Sequence, residues 1–363
     1  VSDVEMRDNQ PGSDEAFVEE CYQRFLRRPA DEVGMAFYAG RLREGASRMD
    51  VVQTFVTGRE FFSLLCKGDF GGDLVTPFLA FAPPGHYYSP LPSPEDVTRY
   101  ASAAFARGPE TLHGVDLDVA GQRAMVETLG PLTRDLHFDA DRGGATRYYW
   151  DNDGFGPGDA VALAAMMRHA RPKRIIEVGA GYSTAVMLDV AERYLAAPPL
   201  ITCIDPEPMR LRSLLREGDA DRLEVREAIV QDLPVSFFTS LEPGDILFID
   251  SSHVLKLGSD VSYLLLEVVP QLAPGVLIHV HDIACSFDYP LEWYEEGRAW
   301  NEAPTLRAFL MFNQSFRILY FSDYLMRFER ELMAAHMPLA LRQPKSVPEG
   351  NTSVSFWMMR DRP

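Results

Sequence analysis

The sequence predicts an α/β protein: a doubly wound, mostly parallel sheet of seven strands, preceded by a small all-α domain. Three observations predict it. From Lys173 onward, short β-branched runs alternate with helical stretches; a turn with two glycines, Gly179 and Gly181, follows the first run; and before residue 67 the apolar residues recur at helical spacing. Taken in order, residues 1–15 are polar and acidic, broken by Pro11 and Gly12, and read as a flexible tail. Phe17, Val18, Cys21, Tyr22, Phe25 and Leu26 then form one face of a helix that stops before Pro29. A second helix is expected over 31–44, and Ser47 caps a third that carries Val51, Val52, Phe55 and Val56, with Glu60, Phe61, Phe62 and Leu65 continuing the pattern. Residues 16–67 thus form a helical module.

Residues 68–157 read as linker, lid and helical segment bordering a site. "APPGHYYSPLPSP" suits neither a regular helix nor a central strand, 96–130 reads as helical, and "RYYWDNDGFGPGDA" is an aromatic loop leading into a helix over 158–170. Residues 158–363 hold the sheet. Its strands are expected at 174–178, 200–204, 223–226, 245–249, 276–280, 317–321 and 354–359, with helices over 183–196, 207–217, 235–241, 258–272 and 303–313. No obvious crossover helix separates the last two strands, so one of them is expected to run antiparallel at the edge.

Composition narrows the function. With 35 basic against 53 acidic residues the net charge is −18, a field that repels a phosphate backbone, so nucleic acid is not an expected partner. Four dispersed cysteines (Cys21, Cys66, Cys203, Cys285) form no CxxC and read as reduced thiols. No apolar run reaches the roughly 18 residues of a membrane span, and the acidic start lacks a signal-peptide pattern, so a cytoplasmic protein is expected.

The chemistry is concentrated at the strand ends. In "RIIEVGAGYSTAVML" a β-branched strand ends in Glu177, followed by Gly179, Ala180, Gly181 and Ser183 at a helix start, a turn that lets backbone approach a nucleotide-like ligand. Thr184 occupies the third glycine position of a dinucleotide turn, which weighs against an NAD(P)-dependent oxidoreductase. The second strand ends in Asp205, placed to accept ribose hydroxyls. The fourth strand ends in Asp250, followed by Ser251 and then His253; the fifth ends in His281 and Asp282. All point to one sheet edge. Two hard carboxylates on neighbouring strands suit Mg²⁺, with Asp250, His281 and Asp282 the expected ligands. His279 is expected on the opposite side from His281, as a core histidine. A zinc hydrolase built on "HVHD" would need further histidines at ligand spacing, and none follows.

E-x-G-x-G-x-S after a buried strand resembles motif I of class I S-adenosylmethionine-dependent methyltransferases. Together with "DILFIDSSH" and "GVLIHVHDI", about two thirds of the chain resembles a bacterial branch of that Rossmann-like family, near metal-dependent O-methyltransferases of sugars and natural products. The resemblance implies S-adenosylmethionine as cofactor, contacts from Asp250 and Ser251, adenine contacts from Gln231 and Asp232, and His253 as general base for a small-molecule or sugar hydroxyl. Those families more often carry Asp-Asp or Asp-Asn where this chain has His281-Asp282. His86, Tyr87, Tyr88, Tyr148, Tyr149 and Trp150 are expected around the acceptor, where aromatic faces suit a sulfonium cation or a sugar. The segment 17–61 resembles a helical module of unknown function and reads as an element for oligomerisation or protein docking. A non-catalytic scaffold on the same fold is the principal rival reading.

Overall fold

The computed structural model describes residues 13–43, 45–56, 85–343 and 353–361, together with Glu60, Phe61, Leu64 and Ala82. Most of the expected tail, residues 68–81 and 83–84 of the expected linker, and Cys66 lie outside the described residues. The chain divides into two units, Val1–Glu95 and Asp96–Pro363.

In the first unit α1 (Asp14–Cys21) starts on Ser13, whose Oγ accepts the Ala16 N–H at 3.2 Å. It widens into a π-type turn over Tyr22–Leu26 and stops at Arg27, whose φ of 55° is left-handed. α2 (Glu32–Arg43) and α3 (Arg48–Val56) complete the bundle, and Ser47 caps α3 as expected by accepting the Asp50 N–H at 3.1 Å. Their shared core is small: Val18, Cys21, Tyr22, Leu26, Ala39, Val51 and Phe55, with Tyr22 edge-on to Phe55 at 4.9 Å.

The expected helix over 96–130 is two helices, α4 (Pro94–Phe105) and α5 (Val119–Leu129). Between them Pro109 supplies no N–H and Gly114 takes φ +80°, which no continuous helix accommodates. α6 (Pro157–Ala170) is apolar almost all round and buried accordingly. The residues between α5 and α6 do not form a separate lid, since Phe138, Tyr148, Trp150 and Phe155 belong to the core that surrounds the sheet.

The sheet has seven strands: β1 (Arg174–Val178), β2 (Leu200–Ile204), β3 (Leu223–Arg226), β4 (Ile246–Ile249), β5 (Leu277–Val280), β6 (Phe316–Phe321) and β7 (Phe356–Arg360), in the order β3-β2-β1-β4-β5-β7-β6. β1 through β5 pair in parallel. The runs of Ile, Val, Leu and Phe in β1, β2, β4 and β5 follow from burial on both faces, which leaves no solvent side to demand alternation, whereas the edge strand β3 is buried only at Leu223. The antiparallel strand is β7, and it lies inside the sheet between β5 and β6 rather than at the edge as expected. α13 (Ser322–Phe328) and α14 (Arg330–His336) fill the return from β6, and buried Asp159 of α6 holds the entry to β7: its Oδ1 accepts the Val354 and Ser355 N–H groups, both at 3.0 Å, and the Ser355 hydroxyl at 2.7 Å.

Several helices are shorter than expected. α7 (Tyr182–Tyr194) is full length, but α8 (Met209–Arg212) and α9 (Val235–Phe238) are single turns that begin after prolines. The stretch 258–272 holds α10 (Asp260–Ser262), a π-type turn (Tyr263–Val268) and a 3₁₀ turn (Val269–Gln271), because Pro270 cannot donate into a helical ladder. α11 (Leu291–Glu295) and α12 (Glu302–Leu310) follow β5. Among the described residues no helix is long and apolar enough to cross a membrane, and Cys21, Cys203 and Cys285 are free and buried.

Candidate functional site

The sheet order reverses at β1, which has β2 on one side and β4 on the other, and in open α/β sheets ligands bind outside the strand ends at such a point. The turn after β1 is built for close approach. Gly179 takes φ +78°, and a Cβ there would lie 1.9 Å from the Asp250 carbonyl oxygen, so only glycine lets the ends of β1 and β4 meet. The Ala180 N–H donates to Asp205 Oδ2 at 2.9 Å, tying the turn to the end of β2. Asp205 Oδ1 takes the Glu207 N–H at 2.7 Å, so each carboxylate oxygen keeps acceptor capacity for a ligand hydroxyl.

Two cavities open here. One of about 490 Å³ is lined by Gly179, Asp205, Ile229, Gln231, Asp250 and Ser251 among others, with Lys256 at its rim. A second of about 180 Å³ lies over the start of α7, between Gly181, Ser183, Phe155 and Arg210. Gly179, Asp205 and Asp250 border both, so the two form one bent cleft around the glycine turn. Gln231 donates its Nε2 to the Gly258 carbonyl at 2.7 Å, which leaves Oε1 as an acceptor.

Glu177 does not face this cleft, contrary to its expected role in holding the cofactor. It is fully buried beneath the turn, accepting the Ser183 hydroxyl at 2.5 Å, the Thr184 hydroxyl at 2.5 Å and the Cys203 thiol at 2.9 Å. Ser183 therefore spends its hydroxyl proton on Glu177, which leaves its backbone N–H as the donor for a ligand. Burial pushes the Glu177 carboxyl up to about 7 against an ordinary 4.5. A raised carboxyl favours the fold while protonated, so its contribution is present below pH 4.5 and is lost as the pH climbs to about 7. Glu177→Gln removes that loss. The wild type is expected to fall by about 3 kcal/mol relative to the variant between those limits. Denaturant unfolding of both proteins at several pH values checks this, and parallel curves would rule it out.

At the ends of β4 and β5 the structure assembles an acid–histidine cluster. His253 Nε2 lies 3.5 Å from Asp250 Oδ1 and 3.3 Å from Asp282 Oδ2, while its Nδ1 meets Glu302 Oε2 at 2.8 Å. The backbone reinforces this, since the His253 carbonyl accepts the N–H groups of Asn301 and Glu302 at 3.0 and 3.1 Å. His253 and Asp282 both have left-handed backbones, φ 60° and 57°, a cost of roughly 1–2 kcal/mol each for side chains of this kind. Such strain at two facing polar residues is characteristic of functional sites. Burial works against a charged His253, but the hydrogen bonds to Asp250 and Glu302 and the charge of Asp282 outweigh it and hold the imidazole well above its usual range. Burial raises the Asp250 carboxyl, yet His281 and His253 pull it down to about 2.

Asp250, His253 and Asp282 offer one ligand atom each, all within 4.8 Å of one another. Such a group could hold a divalent metal, and it shares Asp250 and Asp282 with the expected set. His281 is not part of it: its ring packs against Phe155 with centroids 5.2 Å apart, and its Nδ1 is buried without a hydrogen-bond partner among the described residues. His279 is neutral core, as expected, with burial pulling it well below its ordinary value. It lies on the same side as His281, not the opposite one. Residues two apart in a strand share a face, and the two rings stack at 5.6 Å.

Residues 176–283 match the family profile of a methyltransferase domain (Methyltransf_24), and residues 5–65 match a domain of unknown function (DUF4214). An uncharacterized protein of Archaeoglobus fulgidus is 33% identical over 165 residues, spanning 44% of this chain and 73% of that one. The chain belongs to the class I methyltransferases. Solved structures similar to this methyltransferase include Podospora anserina PaMTH1 with S-adenosylhomocysteine bound (15% identity, 75% of this chain and 98% of that one, TM-score 0.35). Another is the O-methyltransferase TomG of Streptomyces achromogenes with S-adenosylmethionine (12% identity, 74% and 99%, TM-score 0.36).

Other expected site residues fall elsewhere in the methyltransferase. Asp232 is exposed and lines neither cavity. Trp150 and Tyr148 are core residues, because the loop carrying them is clamped by Arg147, which bonds Asp189 at 2.9 Å, Glu192 at 2.9 Å and Asp219. Tyr149 reaches the cleft side only indirectly, its hydroxyl 3.0 Å from that of Tyr182, which donates to Asp153 at 3.0 Å. In the first unit His86, Tyr87 and Tyr88 stack on one another, with Tyr87 and Tyr88 exposed. The sequence reading missed Glu302 and Arg210. Glu302 shows only as an acid at a helix start, which ordinarily signals the helix dipole.

Proposed function

We propose that this methyltransferase binds S-adenosylmethionine in the bent cleft and transfers its methyl group to a hydroxyl of a small-molecule or sugar acceptor. The observation that carries the reading is the convergence on one sheet edge of the Gly179 turn, Asp205 and the Asp250–His253–Asp282 cluster. The cleft is open and not plugged by side chains, which favours a ligand-binding enzyme over a scaffold. Thr184, buried under the turn, leaves no third glycine for a dinucleotide.

In this reading the Gly179–Gly181 backbone lies along the nucleoside, Asp205 accepts the ribose hydroxyls, and Gln231 offers Oε1 to the adenine amino group. The transfer is an in-line displacement: the acceptor oxygen bonds to the methyl carbon, the carbon–sulfur bond breaks, the sulfonium becomes a neutral thioether and the acceptor's proton passes to water in the open cleft. In this reading His253 serves the cluster and not as the expected general base, because the carboxylates around it favour its protonated form. Asp250, His253 and Asp282 fit a divalent ion, and an imidazole among carboxylates suits Mn²⁺ better than the expected Mg²⁺. Such an ion, when bound, lowers the pKa of an acceptor hydroxyl and orients it. Glu302 fixes the His253 ring so that Nε2 faces both aspartates.

The deciding experiment is calorimetric titration with S-adenosylhomocysteine, with and without Mn²⁺ or Mg²⁺ and with NAD as control. Binding near micromolar Kd, about −8 kcal/mol, with none for NAD is the expected result. Absence of S-adenosylhomocysteine binding would move the scaffold reading to the front.

A further inference from the structure

We infer that Arg210 reads the α-carboxylate of the cofactor, so that the site selects sulfonium nucleosides that keep an intact amino-acid tail. The inference rests on the proposed cofactor reading and names a residue that sets its specificity. The nucleoside part is accounted for by the larger cavity, and the cleft then bends at Gly179, Asp205 and Asp250 into the smaller one. At about 180 Å³ that cavity holds roughly six water volumes, enough for an aminobutyrate arm and little more.

Its walls are sorted by charge. Asp250 lies against Gly179 and Asp205 holds the Ala180 N–H, whereas Arg210 on α8 lies against Gly154 and Gly181. Arg210 fits there because two neighbours lack side chains. A Cβ on Gly154 would lie 3.0 Å from Arg210 Nη1, and one on Gly181 would lie 3.2 Å from Arg210 Cδ. The guanidinium carbon sits 5.7 Å from the centre of the Tyr182 ring.

Other arginines nearby are committed. Arg212 pairs with Glu227, and Arg216 donates to the carbonyls of Gly144, Ala145 and Thr146. Arg210 makes no ion pair among the described residues, so its guanidinium is left to meet a ligand in the cavity. The N-terminus of the 13-residue helix α7 adds partial positive charge from the same direction. A zwitterion therefore fits one way round, with its carboxylate on Arg210 and its ammonium toward Asp250.

The test compares S-adenosylhomocysteine with S-adenosyl-3-thiopropylamine, which keeps the amine and lacks the carboxylate, by calorimetry on the full chain. The wild type is expected to prefer the intact ligand by about tenfold to a hundredfold, the range for one charge-assisted, bidentate contact. Arg210→Met is expected to bring the ratio below about threefold by weakening S-adenosylhomocysteine alone, and Arg210→Lys to recover part of it. A ratio that survives Arg210→Met, or an equal loss for both ligands, overturns the inference while leaving the cofactor reading intact. If the wild type binds neither ligand, both are overturned together.

Discussion

Gly179→Ala is expected to abolish S-adenosylhomocysteine binding and to destabilise the second unit by about 3 kcal/mol or more, a loss of roughly 6–12 °C in Tm for a domain of this size. The left-handed φ of +78° alone costs an alanine about 1–2 kcal/mol. The larger part comes from sterics. A methyl group 1.9 Å from the Asp250 carbonyl oxygen cannot be accommodated by a rotamer change, because the atom it meets is backbone at the end of a fully buried strand. β1 and β4 must separate at their carboxyl ends, breaking the 2.9 Å bond from the Asp250 N–H to the Val178 carbonyl and displacing the Ala180 N–H from Asp205. Gly181→Ala is the control. Its backbone is extended, with φ 179°, and its nearest neighbour is the flexible Arg210 side chain at 3.2 Å, so its stability should change by less than about 1 kcal/mol. Thermal unfolding of both variants decides the matter, with ligand titration confined to Gly179→Ala because Gly181 lines the cleft itself. Comparable losses in the two would mean that the turn is sensitive as a whole and that the β1–β4 contact is not its critical feature.

The parts of this molecule that sequence made legible are those where a local pattern and a long-range constraint coincide. β1, β2, β4 and β5 were readable because burial on both faces leaves continuous runs such as Ile175, Ile176 and Val178, and the glycine turn because its spacing has a mechanical cause. The position of β7 was not, since its antiparallel insertion depends on Asp159, almost two hundred residues away in sequence, gathering the Val354 and Ser355 amides. Helix length failed at Pro270, where apolar periodicity continued past a residue that cannot donate a hydrogen bond. At the site, sequence placed Asp250, His253, His281 and Asp282 at the same edge but could not tell which imidazole turns toward the aspartates. That choice rests on the left-handed backbone of His253 and on Glu302, and neither has a local signature. Trp150 and Tyr148 were misread for a related reason: a Gly-rich aromatic loop resembles a lid until the Arg147 clamp beneath it is seen.

The cluster supplies the second large effect. His253→Ala in metal-free protein leaves Asp250, Asp282 and Glu302 facing one another with their central cation removed, and Glu302 is completely buried. Losing one partner of a buried charged group typically costs about 3–5 kcal/mol, because the remaining charges keep their desolvation penalty without compensation. In the proposed reading the same variant also deletes one of three metal ligands, so Mn²⁺ affinity should fall by more than about a hundredfold, beyond what removal of an orienting partner produces. Glu302→Gln keeps a hydrogen-bond acceptor for His253 and should lower Mn²⁺ affinity by about tenfold to a hundredfold. His281→Phe is expected to leave it within about threefold, as that ring stacks on Phe155 and lies outside the donor set. Mn²⁺ binding followed by electron paramagnetic resonance, together with unfolding in the presence of a chelator, separates these cases. Loss of Mn²⁺ in His281→Phe with retention in His253→Ala would restore the ligand set expected from sequence. Equal retention in all three variants would show that Mn²⁺ binds without His253, and absence of Mn²⁺ binding in the wild type would show that the cation among these carboxylates is the proton on His253.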